Sequence, residues 1–306
     1  MKSHIVAALS IFLLIFGISL FTINSKNLTD YNLQHMIMEA VVERRVVKLG
    51  GSLSPHLQPN GDILTYHGNV YPIKQPGTGF FGALTYFPLY KIGTLYSSNY
   101  LNVSSWVSIW LGSAVAGLIG LTLYGLSSAI GMKPLEKIFI SLGAVLTTTL
   151  LPYSGFPHHD LIALLPIYLA LYLVIQGLTR SPNQIHHDYF YLAGFLASFA
   201  LFFSILPITL ILALALIVLI KGDILKVIQF AIGGIIGLIP SLTYNYFVLG
   251  GFLHFPNLMG ASDDTLPLLS LSIMIPRLLR YFSQPALSIF LFSPLAILGF
   301  FGFFHV

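Results

Sequence analysis

The chain has 306 residues, of which 56% are hydrophobic and only 8% charged, with a formal net charge of +4. A soluble domain carries about 25% charged residues, so a water-soluble globular fold is excluded. The mean hydropathy of +0.86 points instead to an all-α polytopic membrane protein. The positive charge forms no basic tract, which argues against nucleic-acid binding. The absence of cysteine removes disulfides and thiolate metal sites.

The first apolar run, Ile5 to Ile23, has the ~20 residues that a span requires. It exceeds the ~7–15 residue core of a signal peptide and no small-x-small cleavage motif follows, so residues 5–23 are expected to be an uncleaved first transmembrane helix. Residues 24–100 then form a large outer loop. It opens with NLTDYNLQH, which places Asp30 just past the first helix. After Asp30, apolar residues recur at Leu33, Met36, Ile37, Ala40 and Val41, which is helical spacing. KLGGSLSPHLQPNG is a turn-rich linker. DILTYHGNVYPIK alternates around His67-Gly68-Asn69 and predicts a small hairpin. GTGFFGALTYFPLYKIG is aromatic, apolar and short, with Pro88 inside it, and predicts a helix lying in the membrane interface.

Residues 101–306 carry further apolar runs at 101–126, 138–153, 161–178, 189–220, 224–248 and 284–303. The run 189–220 would make a helix of ~48 Å, longer than a ~30 Å hydrocarbon core. Pro207 removes a helix hydrogen bond and clashes one turn back, which splits the run near Ser204–Pro207. About eight spans result, in a single membrane domain with a second outer loop at 249–283. With the N-terminus inside, Lys133, Lys137, Arg180, Lys221 and Lys226 all fall in short inner loops, as the positive-inside rule requires. Multi-pass insertion in the plasma membrane is the expected location. No internal repeat of the secondary-transporter kind is visible.

Ionisable residues near membrane depth are costly and point to function. Asp30 is either an N-cap of the helix that follows or a partly desolvated general base. Lys74 is either a snorkelling interfacial lysine or a compact charge for a phosphate. In LPYSGFPHHD, His158, His159 and Asp160 are consecutive. Neighbours on a helix point about 100° apart, so the three do not readily share one metal ion, and no metal is expected. His159 and Asp160 either cap the next helix or hydrogen-bond a sugar or phosphate. Arg277 and Arg280 share a helix face and either clamp a phosphate or touch lipid headgroups.

Together these stretches resemble the GT-C glycosyltransferases, closest to the protein O-mannosyltransferase and aminoarabinose transferase branch. Gly68, Tyr71, Lys74, Pro76, Gly77 and Pro88 match, in order, a stretch common in that branch. LLPYSGFPHHD, YNYFVLGGFLHFPNLMG and SQPALSIFLFSPLAILGFFG are similar to later segments. The resemblance covers about 270 residues. It implies transfer of a sugar from a polyprenyl-phosphate donor to a protein, glycan or lipid acceptor on the non-cytoplasmic face, without a cofactor. It further implies Asp30 as base and Lys74 at the donor phosphate; Tyr71, His158, His159, Asp160, Arg277 and Arg280 complete the candidate substrate contacts. The acidic pair common in the family is Asp30-Tyr31 here, so the second acid is missing. The helix number also falls short of the family's, which leaves a short member, an incomplete or non-catalytic subunit, or a transporter or lipid flippase as alternatives. Charges gathered at one face rather than at mid-bilayer favour the enzyme over the transporter.

Overall fold

The computed structural model describes residues 2–24, 29–57, 62–179 and 188–259. Helices dominate, and a single two-stranded hairpin is the sheet among the described residues. Among the described residues, three helices are long and apolar enough to cross a membrane: Tyr96–Ala129, His159–Thr179 and Ile224–Leu249. The shorter apolar helices are Ile5–Leu20, Tyr189–Phe202 and Ile208–Lys221.

Helix α1 (Lys2–Leu20) leads to α2 (Thr29–Val42). The spacing after Asp30 is helical as read, but α2 is more than one apolar face. Asn32, Gln34, His35 and Glu39 are buried along with Leu33, Met36, Ile37 and Ala40. A helix is buried all round only where neighbours cover every side, and here the following loop and two tyrosines cover the polar one. Strands β1 (Ile63–Tyr66) and β2 (Asn69–Pro72) pair antiparallel with Ile63 opposite Pro72 and Tyr66 opposite Asn69. The two-residue turn has φ of 47° at His67 and 74° at Gly68, the mirror-image turn that suits strand twist.

Helix α3 (Gly77–Lys91) runs beside α2 in the same direction. Gly79 abuts Ile37, Gly82 abuts Met38, and Tyr86 reaches Glu43. The next stretch is α4 (Tyr96–Ser108), a π-helical turn (Ile109–Ala114) and α5 (Val115–Ala129), kinked near its start at Asn99, whose φ of -137° and ψ of 42° are not helical. The stretch has 34 residues, more than a ~30 Å hydrocarbon core requires. Trp106 and Trp110 mark where the apolar part begins, in the manner of interfacial tryptophans.

The 138–153 run does not form one helix. Helix α6 (Pro134–Leu146) stops, and α7 (Leu150–Tyr153) is a single turn. Thr147 and Thr148 hydroxyls bond back to the carbonyls of Gly143 and Ala144 at 2.8 and 2.7 Å, and Pro152 brings no N–H donor. Helix α8 (His159–Thr179) follows. The run 189–220 divides as its proline predicts, into α9 (Asp188–Phe199), a 3₁₀ turn (Ala200–Phe202) and α10 (Ile208–Lys221). Helix α11 (Ile224–Leu249) lies parallel to α9 at very close range. A Cβ at Gly194, Gly233 or Gly237 would overlap the carbonyls of Phe230, Tyr191 and Phe195 respectively. Helix α12 (Pro256–Met259) ends the described chain. Arg277, Arg280 and the 284–303 run lie outside the described residues.

Candidate functional site

Polar side chains collect where α8 begins and α9 and α11 end. The segment 153–158 sets them. Gly112 in the π turn lets the chain approach so closely that a Cβ there would meet the Ser154 carbonyl, and Ser113 Oγ donates to the same oxygen at 3.3 Å. A π turn widens a helix locally and recurs at functional sites. From the other side, Asn24 N–H donates to Gly155 O at 3.1 Å, and Thr22 and Ser154 hydroxyls lie 3.3 Å apart. The end of α1, shortly before Asp30, is therefore fastened to the turn that presents His158.

His158 is buried, stacked on Tyr153 with ring centroids 4.0 Å apart and on His159 at 4.8 Å. Its Nδ1 accepts the Asp160 N–H at 3.1 Å. The residue that caps α8 is thus His158, and the sequence expectation of a cap from His159 or Asp160 is corrected. An N-cap sits just before the first turn and accepts from a backbone N–H two or three residues further on, as His158 does from Asp160. As an Nδ1 acceptor the ring is neutral with its proton on Nε2. Burial pushes its pKa down from 6.5 to about 4, and His159 and the Lys74 ammonium add to the effect while Asp160 opposes it. That coupling brings Lys74 into the neighbourhood of His158, although 84 residues of sequence separate them.

Asp160 is released from capping and works elsewhere. Its Oδ1 accepts the Ser204 hydroxyl at 2.6 Å and lies 3.6 Å from His159 Nε2. Ser204 belongs to the break between α9 and α10, so the proline that splits the run also delivers a donor to the site. Lys74 is not an isolated cation. Its Nζ lies 3.0 Å from Asp62 Oδ2, with both side chains partly exposed. Sequence reasoning missed Asp62 and Ser204. The hairpin alternation held a signal for Asp62, because a register pairing Ile63 with Pro72 brings the flanking residues together, and Ile73 N–H donates to Asp62 O at 2.8 Å.

Tyr71 is not presented to the cluster in the same way. It is buried with Leu64, Phe202, Tyr244 and Leu249 in an apolar cluster that seats the hairpin on the ends of α9 and α11. Gln75 Nε2 donates to Asn257 Oδ1 at 3.4 Å and closes this end of the bundle. Asp30 lies in the first turn of α2. Since α2 and α3 run in the same direction, that turn stands at the end of the pair where Lys74, Gln75 and the start of α3 lie.

A second polar cluster lies along α2, away from these groups. Glu39 is fully buried and accepts from Leu53 N–H at 2.7 Å and Ser52 Oγ at 2.6 Å, with the Arg44 guanidinium 3.9 Å away. Glu43 accepts the Tyr86 hydroxyl at 2.5 Å and Tyr96 N–H at 3.3 Å. His35 Nδ1 lies 2.8 Å from Tyr96 Oη, and burial lowers the His35 pKa to about 4. Burial and the Glu43 bond push the Tyr86 phenol up. These pairs fasten the 44–57 loop, α3 and α4 to α2, a scaffold for the segment between α1 and α5.

Comparison of the chain with protein-family models, with curated proteins and with solved structures finds no match.

Proposed function

We propose that the chain is a membrane glycosyltransferase. It moves a sugar from a polyprenyl-phosphate donor to an acceptor on the non-cytoplasmic side, within a bundle of about eight spans oriented by Lys133, Lys137, Arg180, Lys221 and Lys226. One observation carries the reading: Lys74 pairs with Asp62 beside the hairpin, Asp160 pairs with Ser204 between the start of α8 and the α9–α10 break, and the Lys74 charge is felt at His158. Convergent polar groups at the edge of an apolar bundle suit a substrate that is half lipid and half sugar phosphate.

In this mechanism the acceptor hydroxyl oxygen attacks the anomeric carbon, and Asp30 takes its proton. The bond from that carbon to the phosphate oxygen breaks, and the phosphate leaves with the electron pair. Lys74 stabilises the charge that develops there. The Asp62 partner sets the cost, because Lys74 exchanges or shares that carboxylate when it meets the phosphate. The neutral His158 and the Asp160–Ser204 pair offer a donor and an acceptor for sugar hydroxyls. Arg277 and Arg280 are a proposed second phosphate contact.

The test is sugar transfer in proteoliposomes with a radiolabelled polyprenyl-phosphate sugar, comparing wild type with Asp30→Asn, Lys74→Met and Asp62→Asn at equal protein levels. Loss of turnover in Asp30→Asn, a raised donor KM in Lys74→Met and a lowered donor KM in Asp62→Asn support the reading. Full activity in Asp30→Asn removes the base assignment. Absence of transfer or sugar release from every polyprenyl-phosphate donor overturns the enzyme reading in favour of a non-catalytic subunit.

A further inference from the structure

The two adjacent arginines at the end of α2 are used in opposite ways. Arg44 turns inward, where its guanidinium donates to the Gly50 carbonyl and approaches Glu39. Arg45 turns outward and has no ion pair or hydrogen bond among the described residues. Its backbone φ is 56°, a left-handed conformation that glycine adopts freely and that strains an arginine. The chain thus holds a cationic side chain at a position where its backbone favours glycine.

Arg45 stands at the rim of a groove of about 410 Å³ between α2 and α3. Val41 and Val42 form one wall, and Phe80, Phe81, Leu84 and Phe87 form the other. The volume lies within the ~300–1,000 Å³ of small-ligand sites. Leu84 is 70% exposed and Phe87 48%, so the apolar wall opens outward. At the far end of α3, Lys91 Nζ lies 5.1 Å from the centre of the Phe87 ring, and no carboxylate pairs with it among the described residues.

The position of α3 says which medium the groove faces. Trp106 Nε1 donates to the Thr85 carbonyl at 2.9 Å, which puts the middle of α3 level with the start of the apolar part of the Tyr96–Ala129 helix. Phe81 packs on Phe199 and Phe203 at 6.0 and 5.0 Å, level with the end of α9. Helix α3 therefore lies across the ends of two apolar helices, where headgroups meet acyl chains.

We propose that the groove between Arg45 and Phe87 is a binding site for an anionic glycerophospholipid of the surrounding bilayer. Its phosphate pairs with Arg45 and one acyl chain lies along Phe81, Leu84 and Phe87. Charge complementarity selects an anionic lipid over a zwitterionic one, because Arg45 at the rim and Lys91 beyond Phe87 have no paired carboxylate among the described residues. The site goes beyond the transferase reading and does not depend on it.

The test uses the full chain in detergent, with phosphatidylglycerol or phosphatidylcholine added at matched concentrations and bound lipid counted by native mass spectrometry. Wild type is expected to retain phosphatidylglycerol at least fivefold over phosphatidylcholine. Arg45→Gln should lose that preference. Arg45→Gly relieves the backbone strain, so it should melt no lower than wild type and still lose the preference, which separates lipid binding from folding. Equal retention of the two lipids by wild type overturns the proposal, as does an unchanged preference in Arg45→Gly. Displacement of phosphatidylglycerol by equimolar polyprenyl phosphate, with the same dependence on Arg45, overturns the assignment to a bilayer lipid.

Discussion

Gly112 and Gly125 lie on the same long helix, and alanine at the two positions should act in opposite directions. In a helix interior alanine is favoured over glycine by roughly 0.5–1 kcal/mol. At Gly125 the nearest atom to an added Cβ is Tyr172 Cε2 at 3.5 Å, an ordinary contact, so Gly125→Ala should gain about that amount. At Gly112 a Cβ would stand 2.9 Å from the Ser154 carbonyl carbon and 3.1 Å from the Phe156 carbonyl oxygen, and nearer still to the Ser154 oxygen. Optimal separations are about 3.5–4.0 Å, so the 154–158 backbone must retreat by roughly 1 Å. Overpacking of this kind costs about 1–3 kcal/mol, which outweighs the propensity gain. The displaced turn also carries the His158 cap and the Asp160–Ser204 bond, and a 1 Å misplacement near a reacting centre costs up to ~100-fold in rate. The assay is thermal unfolding of both variants in one detergent, followed by tryptophan fluorescence. Gly125→Ala should melt above wild type and Gly112→Ala below it. Equal midpoints for the two would refute the claim that the π turn exists to admit the 154–158 segment.

Two further outcomes follow from buried titratable groups. His35 and His158 have folded pKa values of about 4 against 6.5 when unperturbed, so between those values the unfolded chain binds more protons than the folded one. Stability should be complete above pH 6.5 and fall as pH drops toward 4, by on the order of a few kcal/mol for each residue at about 1.4 kcal/mol per pKa unit. Melting curves from pH 4.5 to 7.5 check this, with His35→Gln and His158→Gln each expected to flatten part of the slope; a wild-type midpoint that does not change with pH would sink the idea. Tyr86→Phe removes the 2.5 Å donor from Glu43 and leaves it the Tyr96 N–H at 3.3 Å. The expected cost is about 1.5–3 kcal/mol by chemical unfolding, partly recovered in Tyr86→Phe with Glu43→Gln, and additive single and double variants would show that the pair is not coupled.

What the sequence made legible was whatever its local physics dictates. Pro207 marks the division of the 189–220 run, where it caps α10 after α9 and its 3₁₀ turn have ended, whereas Pro166 and Pro240 are accommodated inside α8 and α11. The alternation around His67-Gly68-Asn69 predicted the hairpin, and the fold narrows the turn to His67-Gly68 by pairing Asn69 with Tyr66. Pairings that depend on distant segments were not legible. Nothing in FPHHDLIALL says that Asp160 bonds a serine 44 residues later, because that bond exists only once α8 and the end of α9 pack together. The pairings of the buried Glu39 and the half-buried Glu43 were not legible for the same reason, since their partners Leu53, Tyr86 and Tyr96 come from three later segments. Thr147 and Thr148 ended a run whose hydropathy alone predicted a span, because hydroxyl back-bonding is invisible to a hydropathy average.

The Lys74–Asp62 pair shows how this limit bears on function. Read alone, Lys74 is an unpartnered cation suited to a phosphate. In the fold it is balanced by Asp62 and helps keep His158 neutral. A paired lysine beside a neutral imidazole holds less net positive charge while empty than a bare lysine does, so a substrate phosphate must compete with a carboxylate. Exposed ion pairs contribute only about 0–1 kcal/mol, which a charged phosphate can overcome and a neutral sugar cannot. Under the proposed transferase reading, the pair would favour a phosphorylated donor over a free sugar, a selectivity set by the hairpin register rather than by Lys74 alone.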